Sequence, residues 1–132
     1  MILDTSAVIA ILRNEPEAPL FARLIEQSTS RRISAVSYVE SAAVIDSSRD
    51  PIASRRFDDF IREAGISVEP VTASQALLAR NAYRDFGKGS RHRAQLNFGD
   101  CFAYALAKES GEPLLFKGND FRHTDISAAS IK

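Results

Sequence analysis

Four acidic residues, Asp4, Glu40, Asp100 and Asp120, stand where short apolar segments give way to helical ones. Open α/β sheets bind ligands at such places, beyond the carboxyl ends of their strands. Each acid has a simpler reading. Ser37-Tyr38-Val39-Glu40 fits an S-x-x-E capping box, and Asn97-Phe98-Gly99-Asp100 could close a helix end in a similar way. Asp4 and Asp120 could be ordinary turn or cap residues. Capping, however, gives no reason for the acids to converge. Carboxylates brought together repel: at about 4 Å and an effective dielectric of about 20, each ionised pair costs roughly 4 kcal/mol. Mg²⁺ or Mn²⁺ prefers oxygen ligands and offsets that repulsion. Cys101, His92 and His123 have no zinc-like spacing. Several carboxylates around a hard cation suit phosphodiester hydrolysis, in which metal activates water and neutralises phosphate. Thr5 and Ser6, next to Asp4, would orient a ligand or cap the helix that follows.

The elements that must position these acids can be read from periodicity. Ile2-Leu3 reads as a short buried strand ending at Asp4, with a helix from Ser6 to about Arg13 and another from Ala18 to Gln27. Arg32 to Ala35 reads as a second strand, leading to a helix from about Ser37 to Ser47 with Glu40 in its first turn. A helix from Pro51 to Ala64 ends at Gly65, and Ile66, Val68 and Val71 mark a third strand. Ala73 to Phe86 reads as a helix with Leu77, Leu78, Ala82 and Phe86 inward. Phe98 to Ser110 reads as another, stopped by Gly111, with Cys101 packed beside Phe98 and Ala105. Pro113 to Phe116 is a fourth strand, and a weak last one is placed near Asp125-Ile126. The alternation implies one α/β domain over residues 1–132, with a mainly parallel sheet.

Composition narrows the classes. The chain is 45% hydrophobic and 26% charged, with 17 basic and 17 acidic residues. That balance argues against a general polyanion binder. Locally it breaks down, because Arg80, Arg84, Lys88, Arg91 and Arg93 face only Asp85 between positions 80 and 93. Arg91, His92 and Arg93, just before the Asp100 helix, are candidate phosphate contacts together with Lys88 and Arg84. Arg80 reads first as a solvated residue, and His92 as a solvated loop histidine rather than a general acid. Most of the eight Phe residues read as core, and no aromatic cluster accompanies the basic loop. Phosphate contacts position a substrate without reading its sequence. No apolar run reaches the roughly 18–20 residues needed to cross a bilayer. The lone Cys101 and the absence of a signal-like start give the expectation of a cytoplasmic protein.

Several alternatives fail on their residues. Gly87-Lys88-Gly89-Ser90 is not a phosphate-binding loop, since Ala82 and Gly89 stand where Gly and Ser or Thr are required. An aspartyl-phosphate enzyme needs an acid two residues after its nucleophile, where Ser6 stands. A receiver domain needs an Asp after the third strand, and Val71-Thr72-Ala73 offers none.

Taken together, the motifs resemble a known family. Ile2-Leu3-Asp4-Thr5-Ser6-Ala7 is similar to the opening of PIN-domain nucleases. Ser37-Tyr38-Val39-Glu40 resembles their second acidic motif, and Leu96-Asn97-Phe98-Gly99-Asp100-Cys101 their third. Leu114 to Phe121, with His123-Thr124-Asp125-Ile126, resembles the last. Within the family the similarity is to VapC-type toxins. The resemblance implies a three-layer α/β/α sandwich around a mainly parallel sheet and an endoribonuclease dependent on Mg²⁺ or Mn²⁺. Asp4, Glu40 and Asp100 would be the main metal ligands, Asp120 a more peripheral one, and Thr5, Ser6 and Asn119 supporting residues. It further implies a structured RNA substrate, transfer or ribosomal, a VapB-type antitoxin as inhibitor, and a homodimer. The loop Ser90 to Gln95 is more basic than is usual before the third motif, and Asn119 beside Asp120 leaves open which one faces the metal. The alternative is a non-catalytic RNA- or protein-binding domain of the same fold.

Overall fold

A computed structural model of the chain describes residues 1–130. The first strand β1 (Ile2–Leu3) leads through α1 (Thr5–Leu12) and α2 (Ala18–Gln27) to β2 (Arg32–Ser34). Next come α3 (Ala35–Asp46), α4 (Pro51–Glu63) and β3 (Ser67–Glu69). The chain closes with α5 (Ala73–Phe86), α6 (Asp100–Ser110), β4 (Leu114–Leu115) and a 3₁₀ turn, Asp120–His123.

All strand pairings are parallel, in the order β3-β2-β1-β4. Strand alternation sorts the core to the two faces of this sheet. Ile2 and Leu114 pack with Ala79, Leu96, Tyr104 and Leu106, on the side of α5 and α6. Leu3 and Leu115 pack with Val8, Phe21, Ile45 and Phe57, from the other four helices. A sheet so short is legible only because both faces are covered. The expected three-layer sandwich is therefore the observed one.

Strand order explains why the site forms where it does. From β1 the chain moves outward through β2 to β3, then returns to place β4 on the other side of β1. The crevice at such a reversal lies at the carboxyl ends of the two strands flanking it. Asp4 leaves β1 there, and its amide donates to Leu115 O at 2.9 Å. At the opposite end of the sheet, Glu112 accepts from the Met1 amino group at 2.6 Å and from Arg32 Nη2 at 2.6 Å, and Arg32 also pairs with Glu69 at 3.5 Å.

Some element boundaries and faces differ from the sequence reading. The helix after β2 starts at Ala35, because Ser34 is its N-cap, accepting from the Val36 amide at 3.3 Å. Glu40 consequently lies in the second turn, and the capping-box reading falls away. The third strand is Ser67–Glu69, leaving Val71 outside, and Val68 is exposed because β3 is a sheet edge. On α5 the buried positions are Gln75, Ala79 and Ala82, while Leu77 points outward. Phe98 precedes α6 and is exposed rather than part of the core, while Cys101 is buried as expected. Near Asp125-Ile126 there is no strand; one residue pair, Leu114 with Ala128, extends the sheet edge instead.

Candidate active site

Asp4 is the N-cap of α1, extended in backbone and only 3% exposed. Its Oδ2 accepts from the Ser6 amide at 3.0 Å and from Ser6 Oγ at 2.6 Å. Ser6 Oγ in turn accepts from the Lys117 amide at 3.0 Å, which ties the loop after β4 to the end of β1. Burial pushes the Asp4 carboxyl up from its ordinary value, opposed by the Ser6 hydrogen bonds and reinforced by the charge of Glu40.

Glu40 reaches the same place from α3. Thr5 Oγ1 donates to Glu40 Oε1 at 3.1 Å and lies 3.3 Å from Ser37 O. The rest of the Glu40 carboxylate rests on Gly99. A Cβ at residue 99 would overlap Cδ and both carboxylate oxygens of Glu40. Only glycine leaves that seat open.

Asp100 opens α6 through a reciprocal pair of bonds with Asn97. The Asp100 amide donates to Asn97 Oδ1 at 2.8 Å, and the Asn97 amide donates to Asp100 Oδ2 at 3.0 Å. The capping interaction anticipated from sequence is thus real, and it occupies one carboxylate oxygen of the two. Burial first, then the charges of Asp4, Glu40 and Asp120, push the Asp100 carboxyl up to about 7, against the Asn97 hydrogen bond.

Asp120 begins the 3₁₀ turn and is exposed. The turn is anchored by buried Phe121, whose ring lies 5.2 Å from that of Phe116. Asn119 is also exposed and makes no side-chain capping bond. Of these neighbours it is Asp120 whose charge is felt at Asp100.

The four acids, from four separate elements, therefore share one electrostatic neighbourhood. Among the described residues, no three His, Cys, Asp or Glu side chains are drawn into a finished coordination shell. Their oxygens are held by Ser6, Thr5 and Asn97 instead. The donor set nevertheless fits a hard divalent cation: all oxygen, anionic, partly desolvated, with a side-chain-free seat at Gly99. Sequence reasoning did not single out Gly99 or Asn97 as site residues. A glycine directly before a helix-opening acid was the available signal.

The basic residues lie on α5 and in the loop that follows it. Residues 87–96 make a loop closed by Gly87 and Leu96, with the Lys88 amide donating to Leu96 O at 2.9 Å. Lys88, Arg91 and Arg93 are exposed, and Arg84 is exposed on α5, paired with its neighbour Asp85 at 2.9 Å. Arg91 and Gln95 hold φ of 67° and 50°, which only a tightly determined loop imposes on such residues. His92 differs from the expectation of a solvated residue. Its Nδ1 accepts from the Ala94 amide at 3.1 Å, and its ring meets Phe86 edge-on at 4.9 Å. It shapes the loop.

Comparison with known proteins agrees with this architecture. Residues 1–127 match the PIN domain. Ribonuclease VapC28 of Mycobacterium tuberculosis H37Rv is 57% identical over 129 residues, covering 98% of this chain and 97% of that protein. Ribonuclease VapC30 of the same organism is 48% identical over 131 residues, covering 99% of each. Among solved structures, M. tuberculosis VapC20, described as a Sarcin-Ricin loop cleaving toxin, superposes with a TM-score of 0.72 at 17% identity, covering 95% of each chain. A toxin-antitoxin complex from Klebsiella pneumoniae gives a TM-score of 0.68 at 15% identity, covering 91% of this chain and 88% of that one. At those identities the structures speak for the fold; the sequence relatives carry the kinship. The chain belongs to the PIN-domain family and, within it, to the VapC ribonucleases.

Proposed function

We propose that this chain is a toxin-type endoribonuclease in which Asp4, Glu40 and Asp100 hold Mg²⁺ or Mn²⁺, with Asp120 at the edge of the site. The observation that carries the reading is convergence. Thr5, next to Asp4, holds Glu40 Oε1 at 3.1 Å, and the Glu40 carboxylate rests against Gly99, next to Asp100. The Asp100 carboxyl is pushed up by burial and by the charges of Asp4, Glu40 and Asp120. Structural caps have no need of such a field, and it costs stability unless a cation is present. A divalent cation there supplies an activated water and neutralises charge on the phosphate.

The chain's own residues do the positioning. Ser6 fixes the Asp4 carboxylate and, through Lys117, the loop that carries Asp120. Thr5 orients Glu40 from one side while Gly99 leaves it room on the other. Asn97 orients Asp100. Lys88, Arg91, Arg93 and Arg84 receive the phosphate backbone of RNA, and His92 sets the loop from which Arg91 and Arg93 project. Asn119, which precedes Asp120 at the start of the 3₁₀ turn, serves as its polar neighbour. The substrate class is structured RNA, transfer or ribosomal. VapC20, which shares the fold, is described as cleaving the sarcin-ricin loop.

A VapB-type antitoxin is the partner in this reading, in keeping with a neighbour solved as a toxin-antitoxin complex. A homodimer completes it, with exposed Leu20, Val39 and Ile52 on α2, α3 and α4 offering apolar contact. Among the described residues no helix is long and apolar enough to cross a membrane.

Incubating the protein with total bacterial RNA, with Mg²⁺ or Mn²⁺ or with EDTA, tests the activity. Discrete fragments that need metal and disappear in Asp4→Asn and Asp100→Asn are expected. Both substitutions keep an amide oxygen able to accept the Ser6 or Asn97 bonds, so circular dichroism and thermal melting should report a folded chain. Cleavage surviving in both variants would refute the site. RNA binding that weakens with salt, without cleavage, would favour a non-catalytic binding domain.

A further inference from the structure

Beside the acidic site, α5 and α6 enclose a cleft of about 550 Å³ that the carboxylates do not use. Phe98 forms one wall. It is 68% exposed although it lies two residues before Asp100, and its ring is braced edge-on by Phe102 at 5.1 Å. Tyr83, 42% exposed, lines the cleft from α5. Small side chains at Ala79 and Cys101 leave the space between open, and Arg80 and Arg84 line it as well.

A single exposed ring needs no explanation, but rings grouped along one cleft, as Phe98, Phe102 and Tyr83 are, mark an interaction surface. Rings beside guanidinium groups suit one ligand chemistry in particular: unpaired nucleobases stack on aromatic faces while cations meet the adjoining phosphates. The cations are available. Arg80 makes no ion pair among the described residues, and Arg84 has only the exposed pair with Asp85. Phe98 and Cys101, which line the cleft, flank Gly99 and Asp100 in the chain.

We propose that Phe98, braced by Phe102 and faced by Tyr83, stacks an unpaired nucleobase of the RNA next to the cleaved bond, with Arg80 and Arg84 on its flanking phosphates. This rests on the nuclease reading of the acidic site and adds a substrate-positioning surface to it. Stacking of this kind accepts any base, so the cleft selects for an unpaired nucleotide rather than for a sequence.

The test uses Asp4→Asn protein, a fluorescent oligoadenylate dodecamer, and the same strand with its central bases removed. Loss of the bases should weaken binding about tenfold or more. Phe98→Ala should lower affinity for the intact strand to that of the abasic one and leave the abasic strand unaffected, whereas Phe98→Trp should restore the difference. Arg80→Ala should reduce the slope of log affinity against log salt by about 0.7. Phe98→Ala protein that still distinguishes the two strands would overturn the proposal. So would a change in solution mass on light scattering with RNA affinity unchanged, which would make the cleft a contact between protein chains. Failure of the unsubstituted chain to cut RNA would count against the acidic site, and is read separately from base-dependent binding.

Discussion

Gly99 separates catalytic arrangement from stability better than the acids themselves. Its backbone conformation is helical, with φ of −63°, so another residue meets no strain there. What a methyl group meets is the end of a flexible side chain, the Glu40 carboxylate. Gly99→Ala is therefore expected to cost little folding free energy, about 1 kcal/mol or less. It should nevertheless displace Glu40, with a fall of about 10²-fold or more in RNA cleavage, because a displacement of about 1 Å is enough for that. Melting temperature and initial cleavage rate, measured on the same preparation, check both halves. A variant that cleaves normally would show that the Glu40 seat is irrelevant to turnover. Ser6→Ala makes the complementary case. It removes the hydroxyl that both donates to Asp4 Oδ2 and accepts from Lys117, while the Ser6 amide still caps the helix. Activity should drop about tenfold or more while the loss of stability stays near 1–2 kcal/mol.

Elements, rather than single residues, decide how much of this was legible in sequence. Asp4 could be found because an acid directly after two apolar residues marks a strand end, and that signal is local. Asp100 was visible because Asn97-Phe98-Gly99-Asp100 is a local cap pattern. Glu40 was found for the right segment but the wrong turn. Ser37 looks like an N-cap, yet Ser34 takes that place at the end of β2, leaving Ser37 buried. Its seat on Gly99 was out of reach, since it depends on how α3 meets α6. Leu77 was assigned inward by apolar pattern alone, whereas helix packing turns it outward, and Val68, which marks the third strand, is exposed because strand order leaves β3 an edge. The clamp at the far end of the sheet is equally non-local: burial would raise the Glu112 carboxyl, but the Met1 amino group and Arg32 hold it down at about 2. Because the clamp joins β1, β2 and the turn before β4, Glu112→Gln should lower stability by about 1–2 kcal/mol. RNA cleavage at a temperature well below the melt should stay intact, because the clamp lies at the end of the sheet away from the acids. Denaturant melts and cleavage rates decide it; an inactive but equally stable variant would contradict the placement.

For the molecule as a whole, the acidic site predicts an unusual dependence of stability on pH. Asp4 and Asp100 both hold protons more tightly in the folded chain than in the unfolded one. Between the ordinary carboxylate value of 3.8 and the Asp100 value of about 7, the folded state thus carries the extra protons. Stability contributed in this way is present at the acid end of that window and is lost as pH rises through it. Glu112 has the opposite sign, but its window lies between 4.5 and about 2, so the two effects meet only between 3.8 and 4.5 and Glu112 contributes nothing to a change above that range. Metal-free protein should accordingly melt lower at about pH 8 than at about pH 5, by several degrees, since about 1 kcal/mol moves a domain of this size by about 3–6 °C. A cation that binds the ionised acids acts against this loss. At a concentration about 100 times its dissociation constant it contributes about 2.7 kcal/mol, and only where the acids are ionised. Mg²⁺ should therefore raise the melting temperature at about pH 8 and do little at about pH 5. Asp100→Asn should flatten the pH profile in part and reduce the Mg²⁺ gain with it, because the Asp100 carboxylate contributes to both. If the metal-free melt were instead higher at about pH 8, the acids would not be sharing one field, and the site would lose its electrostatic rationale for holding a cation.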